Sequence, residues 1–196
     1  MSKKTGAPRV SRRGFLRAAA VASAPLIVPG RALGLSRAVP PSERITLGFI
    51  GMGRMNSGHL DNFLRDDDVQ VLALSEVWRS RGEDRRDRVN RFYAERNGTG
   101  SYQGCDLYTD FRKLCARSDI DAVVIATPNH WHALNAVEAL RQGKDVYLEK
   151  PLARTIGEGQ AIVRAARRYG RILQTGSQQR SDSAFRFACE LVRNGR

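Results

Sequence analysis

Lys150 sits between Glu149 and Pro151 at the end of the apolar run Val146-Tyr147-Leu148. A lysine amine at a strand end can hydrogen-bond a substrate hydroxyl and share its proton while hydride leaves the same carbon, and Glu149 could orient that lysine or bind a ribose. A Glu-Lys pair before a turn can equally be solvated charge, so a second special strand end matters. Gly51-Met52-Gly53 closes the apolar run Ile45 to Ile50 and precedes a helical period, the context in which a glycine turn holds a pyrophosphate. Gly51 permits the tight turn, Gly53 lets the backbone approach phosphates, and the amides of Arg54 and Met55 stand at the positive end of the helix dipole. The third glycine of that pattern would fall at Asn56, with Gly58 available for close helix packing. Glu76 closes the next apolar run, where a carboxylate accepts the hydroxyls of an adenosine ribose and favours NAD. Arg79 and Arg81 are near enough to bind the 2'-phosphate of NADP instead.

Thr127-Pro128-Asn129-His130-Trp131-His132 follows a further apolar run. Pro128 ends the sheet there, and Asn129 can donate or accept near a ribose or nicotinamide. His130 and His132, two apart at a helix entry, point in different directions and have no carboxylate or cysteine at ligand spacing, so no metal site is expected. His132 is expected to pack or hydrogen-bond at the crevice.

These residues work together only if the strands that carry them end at one edge. Ile45 to Ile50, Val69 to Leu74, Asp121 to Ala126, Val146 to Leu148 and Ile172 to Thr175 read as short buried strands. Met55 to Leu64, Ser80 to Arg96, Trp131 to Arg141 and Ala184 to Arg193 read as helices, and Asp110 to Ala116 as one or two helical turns. Thr155 and Glu158 have capping-box spacing before a helix that Gly170 stops. Ser101 to Tyr108 reads as irregular polar chain. Strands alternating with helices predict an α/β fold, a doubly wound parallel sheet with helices on both faces, of Rossmann type.

The formal charge of +13 would suggest nucleic acid, but eight basic residues, Lys3 to Arg37, precede the first acidic one, Glu43. Removing them leaves +5, spread over amphipathic helices as solvated surface charge, so no nucleic-acid partner is expected. The opening residues read as an address. Ser11-Arg12-Arg13-Gly14-Phe15-Leu16-Arg17 and the apolar stretch Ala18 to Val28, too short for a bilayer, resemble a twin-arginine export signal. Cleavage after Gly34 or Ala38, passage through the twin-arginine translocase and a periplasmic location follow from that resemblance. A cofactor used there has no free pool to draw on and is expected to be held tightly. Cys105, Cys115 and Cys189 have no paired spacing and are expected to be buried thiols.

In order and spacing, Gly51-Met52-Gly53, Glu76, Ala126 to His132 and Glu149-Lys150-Pro151 resemble the glucose-fructose oxidoreductase and inositol dehydrogenase family, Gfo/Idh/MocA. The resemblance runs from Ile45 to Gly195. It implies that Gly51, Gly53 and Glu76 hold NAD or NADP, and that Thr127, Pro128, Asn129, His132, Glu149 and Lys150 line the nicotinamide side, with Lys150 catalytic. Gln178-Gln179-Arg180 resembles, more loosely, a family segment near the nicotinamide. A carbohydrate hydroxyl is the implied substrate, with redox-assisted glycoside cleavage as a second activity of the same family. The domain expectation is a signal and linker over 1–38, a dinucleotide-binding domain over 39–180, and over 181–196 the start of a connection to the family's second, substrate-binding α+β domain. On this reading the chain is a fragment of an enzyme or a dinucleotide module without its own substrate site.

Overall fold

β1 (Ile45–Ile50), β2 (Val69–Ser75), β3 (Asp106–Tyr108), β4 (Ala122–Ile125), β5 (Asp145–Glu149) and β6 (Leu173–Gly176) form one sheet in the order β3-β2-β1-β4-β5-β6. Every pairing is parallel, so the carboxyl ends of all six strands share one edge. The connections are α1 (Arg54–Leu64), α2 (Arg79–Asn97), α3 (Phe111–Cys115), α4 (His132–Arg141) and α5 (Ile156–Tyr169), and α6 (Ser183–Arg193) follows the sheet. The computed structural model describes residues 39–196; the expected export signal lies outside the described residues. Among the described residues no helix is long and apolar enough to cross a membrane.

Strand alternation divides the core between two faces. Val123 and Ile125 of β4 and Val146 and Leu148 of β5 pack with Ala136, Ala139 and Leu140 of α4 and Ile162 and Ala165 of α5. Leu47, Phe49 and Val124 turn the other way and pack with Leu60 and Leu64 of α1 and Val89 and Tyr93 of α2. Both faces of the central strands are therefore apolar, as a doubly covered parallel sheet requires. The capping box forms as expected: the Thr155 hydroxyl accepts from the Glu158 amide at 3.2 Å, and the Glu158 carboxylate accepts from the Thr155 amide at 2.9 Å.

Two expectations need correction. Asp106–Tyr108, read as irregular chain, pairs with Ala73 to Ser75 as an edge strand; three residues with one aliphatic side chain carry no readable period. Cys105 and Cys115 are buried, and burial pushes both thiols up to about 12, but Cys189 is exposed because α6 buries none of its residues against the described chain.

Asn56, the departure from the glycine pattern, is fully buried. Its Nδ2 donates to the carbonyls of Gly51 at 2.7 Å and Ile50 at 3.1 Å, with that of Val124 at 3.4 Å. A glycine there would leave these carbonyls without that donor. Asn56→Gly, although it restores the usual pattern, is therefore expected to lower unfolding stability by about 1–3 kcal/mol, read from urea denaturation; an unchanged midpoint would show that the amide braces nothing.

Candidate functional site

The turn between β1 and α1 is built to present amides. Gly51 has φ +81°, and a Cβ there would lie 2.7 Å from Thr127 Cγ2 and 3.1 Å from the Ala126 carbonyl oxygen; only glycine combines that backbone with that closeness. Gly53 is extended, and a Cβ on it would meet nothing within 4 Å. Among the described residues nothing requires glycine at that position, and Gly53 lines the cleft. Gly53 caps α1 without a side-chain hydrogen bond, and no acidic residue stands in the first turn. The first amides of the helix are thus left for an anion.

A cleft of about 910 Å³ opens at this turn, and Gly51, Gly53, Arg54, Met55, Glu76, Thr127 and Pro128 all line it. Val77, Phe111, Trp131 and Leu134 supply an apolar wall. Glu76 is buried at the end of β2; its carboxylate accepts from the Met52 amide at 2.8 Å and the Trp78 amide at 2.9 Å. It braces the glycine turn, and two bonds leave a carboxylate with acceptor capacity toward the cleft. Arg81 lies 4.5 Å over the Trp78 ring, with Nη1 3.8 Å from Glu76. At the far wall the Arg112 guanidinium holds the exposed Asp110 carboxyl below its ordinary range.

Asn129, His132, Glu149, Lys150 and Gln178 lie outside this lining. β1 and β5 are separated only by β4, so the glycine turn and Lys150 stand two strand spacings apart, about 10 Å, along one edge. Lys150 is exposed, as is Asn129 in the turn before α4. His132 is buried, its Nε2 2.9 Å from the Thr127 carbonyl and its Nδ1 2.7 Å from that of Pro151. It ties the loop after β4 to the loop after β5. Asn135, also buried, donates to the Thr127 hydroxyl at 3.0 Å, and its Oδ1 has no partner among the described residues.

Glu149 differs from the expectation that its carboxylate could bind a ribose. It is 3% exposed, because alternation puts it with Tyr147 on the face that α1 covers. Its Oε1 accepts from His59 Nε2 at 2.7 Å and from Gln178 Nε2, and its Oε2 accepts from the Lys150 amide at 3.0 Å. Gln178 also donates to the Tyr147 hydroxyl at 3.2 Å. Inside the protein this carboxylate accepts three hydrogen bonds. The sequence reading missed His59, 90 positions from its partner; the available signal was its place on α1, one helical face along from the turn. Among the described residues no three His, Cys, Asp or Glu side chains gather in a way that could hold a metal ion.

The observations fit a dinucleotide: amides opening a long helix, vacant space beside Gly53, a carboxylate at the end of β2 and an apolar wall, all where strand order reverses between β1 and its neighbours β2 and β4. The chain is 30% identical over 175 residues to the glycosyl hydrolase family 109 protein of Shewanella baltica and 29% identical over 175 residues to the alpha-N-acetylgalactosaminidase of Shewanella oneidensis. Each match covers 81% of this chain and 37% of the relative, so the chain spans well under half the length of these proteins. Among solved structures, the NAD binding oxidoreductase of Klebsiella pneumoniae is 27% identical with a TM-score of 0.61, covering 78% of this chain and 39% of that one. The scyllo-inositol dehydrogenase of Lactobacillus casei, crystallised with NAD(H) and scyllo-inositol, shares the fold at 24% identity and TM-score 0.64, over 78% of this chain and 42% of that one. Residues 45–177, from the first strand to just past the last, match the family described as "Oxidoreductase family, NAD-binding Rossmann fold", and the chain belongs to that Gfo/Idh/MocA family.

Proposed function

We propose that this chain is the dinucleotide-binding part of an NAD(P)-dependent oxidoreductase acting on a carbohydrate hydroxyl, with Lys150 assisting proton transfer. What supports the reading is one observation above the others: the uncapped helix amides and the Lys150 strand end lie at one edge of the sheet, on strands separated only by β4. The nicotinamide, when bound, exchanges hydride with the substrate carbon. Gly51, Gly53, Arg54 and Met55 would hold the pyrophosphate. Glu76 would receive the adenosine ribose, and Thr127, Pro128 and Asn129 would border the nicotinamide half, with His132 fixing their loop. Lys150, exposed toward that edge, would hydrogen-bond the reacting hydroxyl and take up its proton.

The curated relatives favour a second reading at the same site, in which the hydride is returned. Oxidation of one sugar carbon acidifies the C–H beside it; loss of that proton expels the glycosidic oxygen, water adds, and the hydride goes back to the carbon it left. Lys150 serves the hydroxyl in both readings. In the full-length protein, Lys150→Met is expected to lower turnover by roughly 10²- to 10⁴-fold while NAD binding stays within about twofold. Sugars and N-acetylated glycosides are the substrates to assay: accumulating NADH supports the dehydrogenase, a cleaved glycoside without NADH the second reading, and unchanged turnover in the variant removes the lysine from both.

We read NAD as preferred over NADP. A buried carboxylate at the cleft repels a 2'-phosphate, and Arg81 is engaged by Trp78 and Glu76. Glu76→Ser weakens both coenzymes through the lost Met52 contact, so the ratio is the readout. It should move toward NADP by roughly tenfold in paired fluorescence titrations, and a ratio that stays put would locate the selectivity elsewhere.

We also propose export by the twin-arginine route, on the residues Ser11 to Arg17. Changing Arg12 and Arg13 together to lysine should retain the protein in the cytoplasmic fraction, whereas undiminished periplasmic protein would mean these arginines are not read as an address.

A further inference from the structure

Among the described residues, the buried carboxylate beside Lys150 is held by a residue of α1, the helix whose first turn lines the cleft. The Glu149 side chain is 3% exposed and that of His59 16% exposed. A carboxylate can only accept, so His59 Nε2 is the donor in their 2.7 Å contact. The His59 ring also packs edge-on against Tyr147, centroids 5.3 Å apart. The space around this cluster is closed. A Cβ at Gly176 would lie 2.7 Å from the Tyr147 hydroxyl, 2.9 Å from Glu149 Oε1 and 3.1 Å from Gln178 Nε2. His59 and Gln178 together fix the rotation of the carboxylate, and its other oxygen then holds the Lys150 amide at 3.0 Å. α1, whose first turn faces the cleft, therefore reaches the Lys150 strand end from its second turn.

We infer that His59 is a positioning residue for Lys150, acting through the buried carboxylate of Glu149. The inference rests on the reading of Lys150 as the proton-transfer group. Without the imidazole donor, a buried carboxylate loses a compensating partner, and the cation adjacent to it in sequence is Lys150, whose backbone amide it already holds. The carboxylate then competes with substrate for that lysine. Replacing the charge as well, in His59→Met with Glu149→Gln, removes the competition, so the pair of changes does less harm to Lys150 than the first alone. Loss of packing against Tyr147 would instead make the second change add to the damage.

The test reads the lysine directly. The 196-residue chain has five lysines, Lys3, Lys4, Lys113, Lys144 and Lys150. After reductive ¹³C-methylation, the Lys150 resonance is assigned by its disappearance in Lys150→Arg. His59→Gln keeps a donor and should leave that resonance in place; His59→Met, similar in bulk without a donor, should move it, and His59→Met with Glu149→Gln should bring it back. NAD titration and thermal unfolding certify that each variant is folded. An unmoved resonance in His59→Met, or equal displacement in His59→Gln and His59→Met, overturns the inference. Where a sugar substrate is in hand, His59→Met should lower kcat by roughly tenfold or more with KM within about twofold. The resonance is read without turnover, so absence of sugar oxidation would count against the proposed function alone.

Discussion

The amides that open α1 can face the cleft because the Met52 amide and the Ile50 and Gly51 carbonyls of the same turn are paired from within, which leaves Asn56 Oδ1 as the buried side-chain atom of the turn without a partner among the described residues. The Met52 amide, between the two glycines, donates to Glu76. The Ile50 and Gly51 carbonyls receive Asn56. Each of these partners is buried, where an unpaired donor or acceptor costs about 1–3 kcal/mol. A turn with unsatisfied groups on both sides would relax, drawing some of its amides inward. With the inner groups held, the outward amides and the gap beside Gly53 are what an anionic ligand meets.

Strand alternation then decides which residues of the edge face the cofactor path and which become support. Tyr147 and Glu149 point to the α1 face, and Glu149 accepts hydrogen bonds from His59, Gln178 and the Lys150 amide. Val146 and Leu148 point to the α4 face, and the chain beyond Lys150 is anchored on that side by His132 at the Pro151 carbonyl. Lys150 is thus flanked by one restraint from each face of the sheet. This arrangement explains why the carboxylate and the amine of neighbouring residues have different fates: one is buried as scaffold and the other left exposed.

Much of this was legible in the chain itself. Five of the six strands announce themselves as short apolar runs closed by Gly, Glu or Pro, and the ends of β1, β2 and β4 carry cleft residues. β3 was not legible, since Asp106-Leu107-Tyr108 owes its pairing to β2 rather than to its own pattern. At Asn56 a glycine pattern registers only an absence; its donor bonds to the surrounding carbonyls depend on where β1 and β4 lie in space. His59 and Glu149 meet only through the β1-β4-β5 order, a non-local fact that no spacing rule contains. The exposure of Cys189 belongs to the same class, because a helix with a strong apolar face, carrying Phe185 and Phe187, is here exposed on that face.

Electrostatics along the cleft follow from which arginines are already committed. Arg112 is forked onto Asp110 at 2.9 Å, and Arg81 is stacked on Trp78 near Glu76. No carboxylate among the described residues pairs with Arg54, which stands in the first turn of α1. The uncompensated positive charge therefore coincides with the helix dipole and the outward amides, while the Glu76 end of the cleft carries a carboxylate with a guanidinium nearby. A ligand with its charge at the middle and a neutral diol at one end matches that distribution. A ligand with a second phosphate at the diol would have to draw Arg81 away from both Trp78 and Glu76.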